Sequence, residues 1–391
     1  MVFTFILSAL IPNACACSLM IPTARAMLSI LDELGVCRAL EERDMEIGDG
    51  FSSPSAAPSK VANAFYIGIG FAANIGGMLT PWSSEAGYEF LKIYKSNLQI
   101  GTFITSAATS ILLLTFTMVY LQIAFLLLWR SKRKKQITFD AAALTPTLDV
   151  LIQGERENGV ADIIITGLLM IVYVFVLIGA RVVEEMQYLN DTVLIKYSTL
   201  VMLICLVAFV CPNNCSHLNY FLCREPNSYK MSPSILPWSA IPKLMPWNYF
   251  LVYGSSLAYG MALEKSGLPT YLMEHLEGVT NNMTLKLMGF MVIAILLTLL
   301  GANHLVARVL MMEAVKWATL DNEQPLFVAL ALCLTSTVAF LLPVSSVSNC
   351  FTAGWGNLKS KDMIIAGVGP TLFGYFLILG VIELQRYFPL F

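Results

Sequence analysis

Of the 391 residues, 57% are hydrophobic and only 13% are charged, against roughly 25% charged in a soluble domain, which excludes a soluble globular fold. Mean hydropathy is +0.70, several apolar runs approach the ~20 residues that a membrane-crossing helix needs, and the alternating ~10-residue segments of a β-barrel are absent. The net charge of −2 says nothing about partners, but no basic tract suited to nucleic acid stands beyond the run at 130–135, so the lipid bilayer is the expected surrounding.

In chain order, two apolar arms come first, residues 2–11 and 14–31, on either side of a polar point. An acidic, Ser- and Pro-rich loop (41–59) leads to an apolar run at 61–76 that is interrupted at 77–87 and resumes from Tyr88. Residues 104–129 are long enough to span. The basic run Arg130-Ser-Lys-Arg-Lys-Lys135 behind them reads as a cytoplasmic anchor. Spans follow at 163–180, 194–210 and 249–263. A second pair of arms, 285–300 and 305–317, again flanks a polar point. Residues 325–342 end in the stretch Pro343-Val-Ser-Ser-Val-Ser-Asn349, and 364–384 close the chain.

With the basic run inside, Asn190 (in Asn-Asp-Thr) and Asn282 (in Asn-Met-Thr) fall outside as glycosylation acceptors. Asn214 (in Asn-Cys-Ser) is cytosolic and stays unmodified. Lys359 and Lys361 come out inside, as the positive-inside rule asks. Of the nine cysteines, Cys15, Cys17, Cys205, Cys333 and Cys350 lie in apolar runs, where cysteine behaves as a small hydrophobe. Cys211, Cys215 and Cys223 cluster with His217, but without the paired short-range ligands of structural zinc, so free cytosolic thiols are expected.

The two pairs of arms repeat a pattern. Residues 7–22 (LSALIPNACACSLMIP) and 299–314 (LLGANHLVARVLMMEA) each hold an asparagine, Asn13 and Asn303, between short apolar arms. Arms of about 11 residues are too short to cross a bilayer. Each pair is therefore expected to be a re-entrant hairpin whose tip lines a protein-enclosed cavity. Each is followed by an apolar run broken by Gly, Pro and Ser. Matched breaks in two halves point to a secondary transporter with its site between discontinuous helices, where helix N-termini favour anions and freed carbonyls favour sodium. By the topology above the repeats are inverted: residues 1–129 form the first, 130–160 a cytoplasmic linker, and 161–391 the second. The serines of the second break and Asn349 are expected to line the cavity.

Three stretches resemble the divalent anion/sodium symporter family of sodium-coupled dicarboxylate, citrate and sulfate transporters. Residues 236–268 (LPWSAIPKLMPWNYFLVYGSSLAYGMALEKSGL) are similar to its Trp…Pro-Trp entry, Gly-rich helix and Ser-Gly-Leu ending. The stretch FLLPVSSVSN resembles its Leu-Pro-Val-Ala-Thr-Pro-Pro-Asn signature, and AANIGGMLT its Ala-Ser-Ile-Gly-Gly-Thr-Ala-Thr segment. The resemblance runs from Phe3 to the C-terminus. It implies Ser-Asn-Thr at both hairpin tips, where sodium and the substrate carboxylate bind. Here those positions read Pro12-Asn13-Ala14 and Ala302-Asn303-His304, so both asparagines match and all four hydroxyl positions are lost. The family's Thr-Gly-Thr-Gly-Pro-Asn break becomes Trp82-Ser83-Ser84-Glu85-Ala86-Gly87. Glu85 would place a negative charge where a dicarboxylate would sit, offset by His304 if protonated; the alternatives that Glu85 points to the membrane interface and that His304 bonds a helix end stay open.

The expected fold is an all-α polytopic inverted-repeat transporter with two re-entrant hairpins and two broken helices, incomplete at its N-terminus because the family carries further helices before the first hairpin. The resemblance implies sodium-coupled symport of a di- or tricarboxylate such as succinate or citrate by alternating access. Sodium is the coupling ion, no cofactor is needed, and a homodimer in the plasma membrane is expected. Substrate and sodium are assigned to Asn13, Ala14, Thr80, Ser83, Ser84, Asn303, His304, Ser345, Ser346 and Asn349, with sodium at Asn13, Asn303 and Asn349. Two other readings stay open: a non-transporting or truncated relative that acts only as a membrane interaction protein, and a transporter of another anion such as sulfate or a monocarboxylate. The charges within apolar segments, such as Glu264 and Glu313, form no nucleophile–base constellation, so the chain is not expected to be an enzyme.

Overall fold

The chain is a set of helices joined by tight breaks. A computed structural model describes residues 1–33, 40–41, 57–80, 83–93, 100–130, 171–172, 175–176, 179, 197–210, 234, 238–241, 245, 247–279, 282–320 and 324–387. It divides into two compact units, Met1–Ile137 with Pro246–Phe391, and Thr138–Met245. The helices of the larger unit's first part are α1 (Val2–Leu10), α2 (Asn13–Glu33), α3 (Lys60–Gly77), α4 (Glu85–Ile93) and α5 (Ile100–Arg130). The smaller unit holds α6 (Tyr197–Val210) and a 3₁₀ turn, Trp238–Ala240, whose Trp238 ring lies 6.0 Å from Phe209. Returning to the larger unit, the chain forms α7 (Trp247–Ser266), α8 (Leu268–Val279), α9 (Met283–Thr298), α10 (Asn303–Leu320), α11 (Pro325–Thr337), α12 (Val347–Gly356) and α13 (Ser360–Tyr387).

Local chemistry sets the boundaries. A residue before proline is driven out of the helical region. Ile11, before Pro12, is extended (φ −122°, ψ 161°) and ends α1; Leu342, before Pro343, is extended likewise (φ −129°, ψ 152°). The same device therefore shapes the first hairpin tip and the second break. Ser59 caps α3 by accepting the Ala62 N–H at 3.2 Å, and Ser346 caps α12 by accepting the Asn349 N–H at 3.2 Å; side-chain oxygens there satisfy donors the helix leaves orphaned. The α7–α8 junction turns at Gly267, whose φ of +69° suits a residue without Cβ.

Both helix–tip–helix pairs and both broken helices are present, but the second arm of each pair is longer than expected. The first hairpin joins 9 residues to 21, and the second joins 16 to 18. Beyond Asn13 only Pro22 stands against the helix, and α2 runs through it, as apolar helices do when neighbours satisfy the freed backbone. Helix α11 stops at Thr337, five residues short of the expected 342, because Val338 turns out of the helix (φ −75°, ψ 43°).

Packing repeats as the sequence does. Helix α3 lies against its own hairpin, α1 and α2, and against α5; α11 lies against its own hairpin, α9 and α10, and against α13. The short second arms cross over. Helix α4 leaves the first break to pack on α10, and α12 leaves the second break to pack on α2 and α3. Each break is thus enclosed by helices from both the early (α1–α5) and the late (α7–α13) parts of the larger unit.

Among the described residues, three stretches are long and apolar enough to cross a membrane: Asn13–Leu31, Gly101–Ala124 and Ser360–Arg386. Their outer faces expose large apolar side chains, including Ile111, Val119, Ile123, Leu372 and Phe376, which in water would be a large unpartnered patch and in lipid is a solvated face. The chain is an all-α polytopic integral membrane protein. Most of the expected 163–180 span, the Cys211–Cys215–Cys223–His217 cluster, Asn190 and Asn214 lie outside the described residues. Among the described ones no group of three His, Cys, Asp or Glu side chains gathers to hold a metal. Asn282 is exposed at the start of α9, where its Oδ1 accepts the Thr284 N–H at 3.1 Å; a glycan on Nδ2 leaves that acceptor in place. Asn282→Gln is expected to remove one endoglycosidase-sensitive mass step, and a glycan on Asn214 would contradict the topology.

Candidate functional site

The C-terminal end of α3 is the hub of the site. Gly77 backs directly onto the first hairpin tip: a Cβ added there would run into the Asn13 amide. Ser8 Oγ of α1 lies 2.8 Å from Asn13 Oδ1 and 2.7 Å from the Ala73 carbonyl, tying the tip to α3. Ala14 follows as a half-buried second residue of α2. The first break folds back on the same hairpin. Thr80 Oγ1 lies 2.7 Å from the Ala9 carbonyl and 2.8 Å from Ser83 Oγ. Ser83 Oγ also reaches the Gly77 and Thr80 carbonyls at 3.2 and 3.1 Å. Ser84 Oγ accepts the Gly87 N–H at 2.9 Å and so caps α4.

One turn earlier on α3, Asn74 holds the second break. It is buried, and its Nδ2 donates to Ser346 Oγ and to Asn349 Oδ1, each at 3.1 Å. Its Oδ1 accepts a hydrogen bond from Ser348 Oγ. Asn349, fully buried, uses Nδ2 to bridge the Ala339 and Leu342 carbonyls at 2.6 and 3.2 Å, closing the break on itself. Phe71 and Phe340, with ring centroids 4.7 Å apart, cover one side. Ser345 Oγ is buried without a hydrogen-bond partner among the described residues.

The second hairpin tip meets the first break through charge. His304 Nδ1 sits 2.9 Å from Glu85 Oε2, at ion-pair distance but out of line for a hydrogen bond. Tyr253 of α7 donates its hydroxyl proton to the same carboxylate oxygen at 3.1 Å. Beside His304, Asn303 is buried and its Oδ1 has no partner among the described residues. Helix α7 supports this tip from behind: the Ala302 N–H reaches the Ser256 carbonyl at 3.5 Å, and a Cβ at Gly260 would collide with Leu305.

The ten residues singled out from sequence therefore fall into three contiguous groups. Asn13 and Ala14 join Thr80, Ser83 and Ser84 through Gly77; Ser345, Ser346 and Asn349 join them through Asn74; Asn303 and His304 join through Glu85. The N-termini of α2, α4, α10 and α12 all open onto these groups, and helix N-termini favour anions. A small, partly open pocket lies beside the first break, walled by Met78, Thr80, Ser84, Phe90, Ser106 and Thr337 among others. Of the ten, only Thr80 and Ser84 line it. Sodium asks for oxygen ligands, as hard cations do. Asn303 Oδ1 is a buried oxygen free to supply one, whereas Asn349 Oδ1 is already engaged by Asn74.

Reading the sequence missed Asn74, Ser8 and Tyr253. All three lie inside stretches already singled out, Ser8 in 7–22, Asn74 in AANIGGMLT and Tyr253 in 236–268, so position marked them although their partners were not visible. Many other buried hydroxyls only serve their own helices: Thr335 and Thr337 bond the carbonyls of Ala331 and Cys333 at 2.7 and 2.8 Å, the common fate of such groups in apolar helices.

Comparison with known proteins bears on what this arrangement serves. The family model described as "Citrate transporter" matches residues 1–379. The chain is similar to "Protein I'm not dead yet" of Drosophila melanogaster, 28% identical over 94% of this chain and 66% of that protein. It is similar to the sodium-dependent high-affinity dicarboxylate transporter 3 of Caenorhabditis elegans, 22% identical over 94% of this chain and 63% of that one. The Na(+)/citrate cotransporter of Mus musculus is 23% identical over 46% of this chain and 32% of its own length. The chain spans less than two thirds of the length of these relatives.

Proposed function

Because the chain belongs to the citrate transporter family, a family of transporters and not of enzymes, we propose that it carries di- and tricarboxylate anions of the succinate and citrate type across a membrane, with sodium as the coupling ion. The observation that carries this is the enclosure of two helix breaks by two asparagine-tipped hairpins, each break capped by a helix arm that packs on the opposite repeat. Such crossed arms let one repeat rock against the other around a fixed site. Residues 1–129 and 161–391 serve as the two inverted repeats, joined by a cytoplasmic linker at 130–160; the matched packing of α3 and α11 supports this division. Substrate and sodium fall to the ten residues named above, with Asn303 best placed for sodium because its buried Oδ1 is free. The family resemblance supports a homodimer in the plasma membrane.

A second reading, a non-transporting relative, is favoured by one observation: the polar atoms of the Ser346–Ser348–Asn349 group are engaged by Asn74 of the same chain. Uptake of labelled succinate or citrate separates the two. In cells expressing the chain, uptake is expected to fall to the level of untransfected cells when choline replaces sodium. Restoring the lost hydroxyls (Pro12→Ser with Ala14→Thr, and Ala302→Ser with His304→Thr) is expected to lower the half-saturating sodium concentration, because each adds an oxygen ligand at a site with few. Uptake no greater than that of untransfected cells, with sodium present, would support the second reading.

A further inference from the structure

We infer that Glu85 is a tethered anion at the second hairpin tip and that it sets the charge of the ligand the site admits, so that a dicarboxylate is taken as its monoanion in preference to its dianion. This rests on the carboxylate-transport reading for the class of ligand; the role of Glu85 rests on geometry. Glu85 is the first residue of α4, so its carboxylate stands at a helix N-terminus, the place where an anion is most favoured. It does not turn away to the membrane surface. Its Oε2 is held by the Tyr253 hydroxyl at 3.1 Å from α7 and faced by His304 Nδ1 at 2.9 Å from the start of α10. Two helix N-termini, those of α4 and α10, thus converge on one carboxylate that belongs to the protein itself.

Apart from the sodium proposed at Asn303, the described residues of α4 and α10 bring little further positive charge to a second anion. The other described cations of α4 and α10 each have their own carboxylate: Lys92 with Glu89 at 2.7 Å, Arg308 with Glu264 at 3.2 Å, and Lys316 with Glu313 at 2.9 Å. Yet the tip is built to receive something. Asn303 is 5% exposed, and its Oδ1 has no partner beside this pair, whereas buried polar atoms in folded proteins are nearly always satisfied. The Glu85 side chain remains 42% exposed, so a ligand reaching Asn303 meets its charge. A ligand carboxylate entering here adds to Glu85, and like charges in a partly desolvated site repel. A ligand with one carboxylate neutral keeps the hydrogen-bonding shape and avoids that repulsion.

The test compares succinate with its monomethyl ester, which has the same backbone and one charge fewer, by calorimetric titration of the purified full chain in detergent with sodium present. The ester is expected to bind at least tenfold more tightly than succinate. Glu85→Gln keeps the acceptor for Tyr253 but removes the charge, and is expected to abolish or reverse that preference. Glu85→Asp keeps the charge and is expected to keep the preference, which controls for a variant that merely disturbs α4. An equal ratio of affinities in the wild type and Glu85→Gln, or binding of neither ligand by any form, would overturn the inference. Uptake measured on the same proteins separates this from the transport reading. Charge-dependent binding without uptake leaves the role of Glu85 standing and defeats transport; sodium-driven uptake with an unchanged ratio does the opposite.

Discussion

Replacing Asn74 by leucine is expected to cost about 2–6 kcal/mol of folding free energy, the largest loss from any single polar side chain of the site. The substitution is nearly equal in size, so cavity formation contributes little. What it removes is two donors and one acceptor from a fully buried cluster: Ser346 Oγ and Asn349 Oδ1 lose the Nδ2 protons, and Ser348 Oγ loses its acceptor. Leaving a buried polar group unsatisfied costs about 1–3 kcal/mol; Asn349 Oδ1 has no other partner among the described residues, and Ser348 Oγ keeps only Ser346 Oγ at 3.4 Å. Ser346 keeps the Asn349 N–H at 3.2 Å. Unfolding in mixed micelles would measure the loss, and a change below ~1 kcal/mol would show that Asn74 is not the tie between the halves. Asn74→Ser, shorter but polar, should fall between.

Gly76→Ala is the second large effect, and it acts through backbone. A Cβ at Gly76 would run into the Phe5 carbonyl oxygen, with the Phe5 Cα and Ser8 Cβ at 3.0 Å. Two of these atoms are main chain of α1, which cannot swing aside like a side-chain tip, so α1 must part from α3. Overpacking costs typically ~1–3 kcal/mol, and here it also moves Ser8 off Asn13 and Ala73, so carboxylate uptake should fall together with stability. The control is Gly254→Ala in α7, where nothing lies within 4 Å of an added Cβ. There the better helix propensity of alanine should leave the protein unchanged or more stable by up to ~1 kcal/mol. Equal effects at the two glycines, measured by unfolding and by yield of the folded monodisperse protein, would contradict the close approach of α1 to α3.

Much of the fold was legible because the signals are local. Pro12 and Pro343 force the preceding residue out of the helix, Gly and Ser populate the breaks, and asparagines mark both tips; none of this needs knowledge of what packs against what. The length of α2 was not legible, since whether a helix survives Pro22 depends on neighbours that satisfy its backbone. The site divides in the same way. Ser346 and Asn349 were recognisable from a short motif, whereas the residue that holds them, Asn74, lies more than 270 positions away in the chain. Glu85 could as well have faced the membrane surface until Tyr253 and His304 were seen on either side of its carboxylate. Likewise nothing in the sequence shows that the second arm of each broken helix crosses to the opposite repeat, although that crossing is what places both tips around one region.

Reconstitution of the purified chain into liposomes tests coupled carboxylate transport most directly. Labelled succinate is supplied outside, with an inward sodium gradient in one set of vesicles and an equal potassium gradient in the other. Concentrative accumulation with sodium, lost when a sodium ionophore collapses the gradient, is the expected result. Accumulation no greater with sodium than with potassium, or no greater than in protein-free vesicles, would contradict the proposed function.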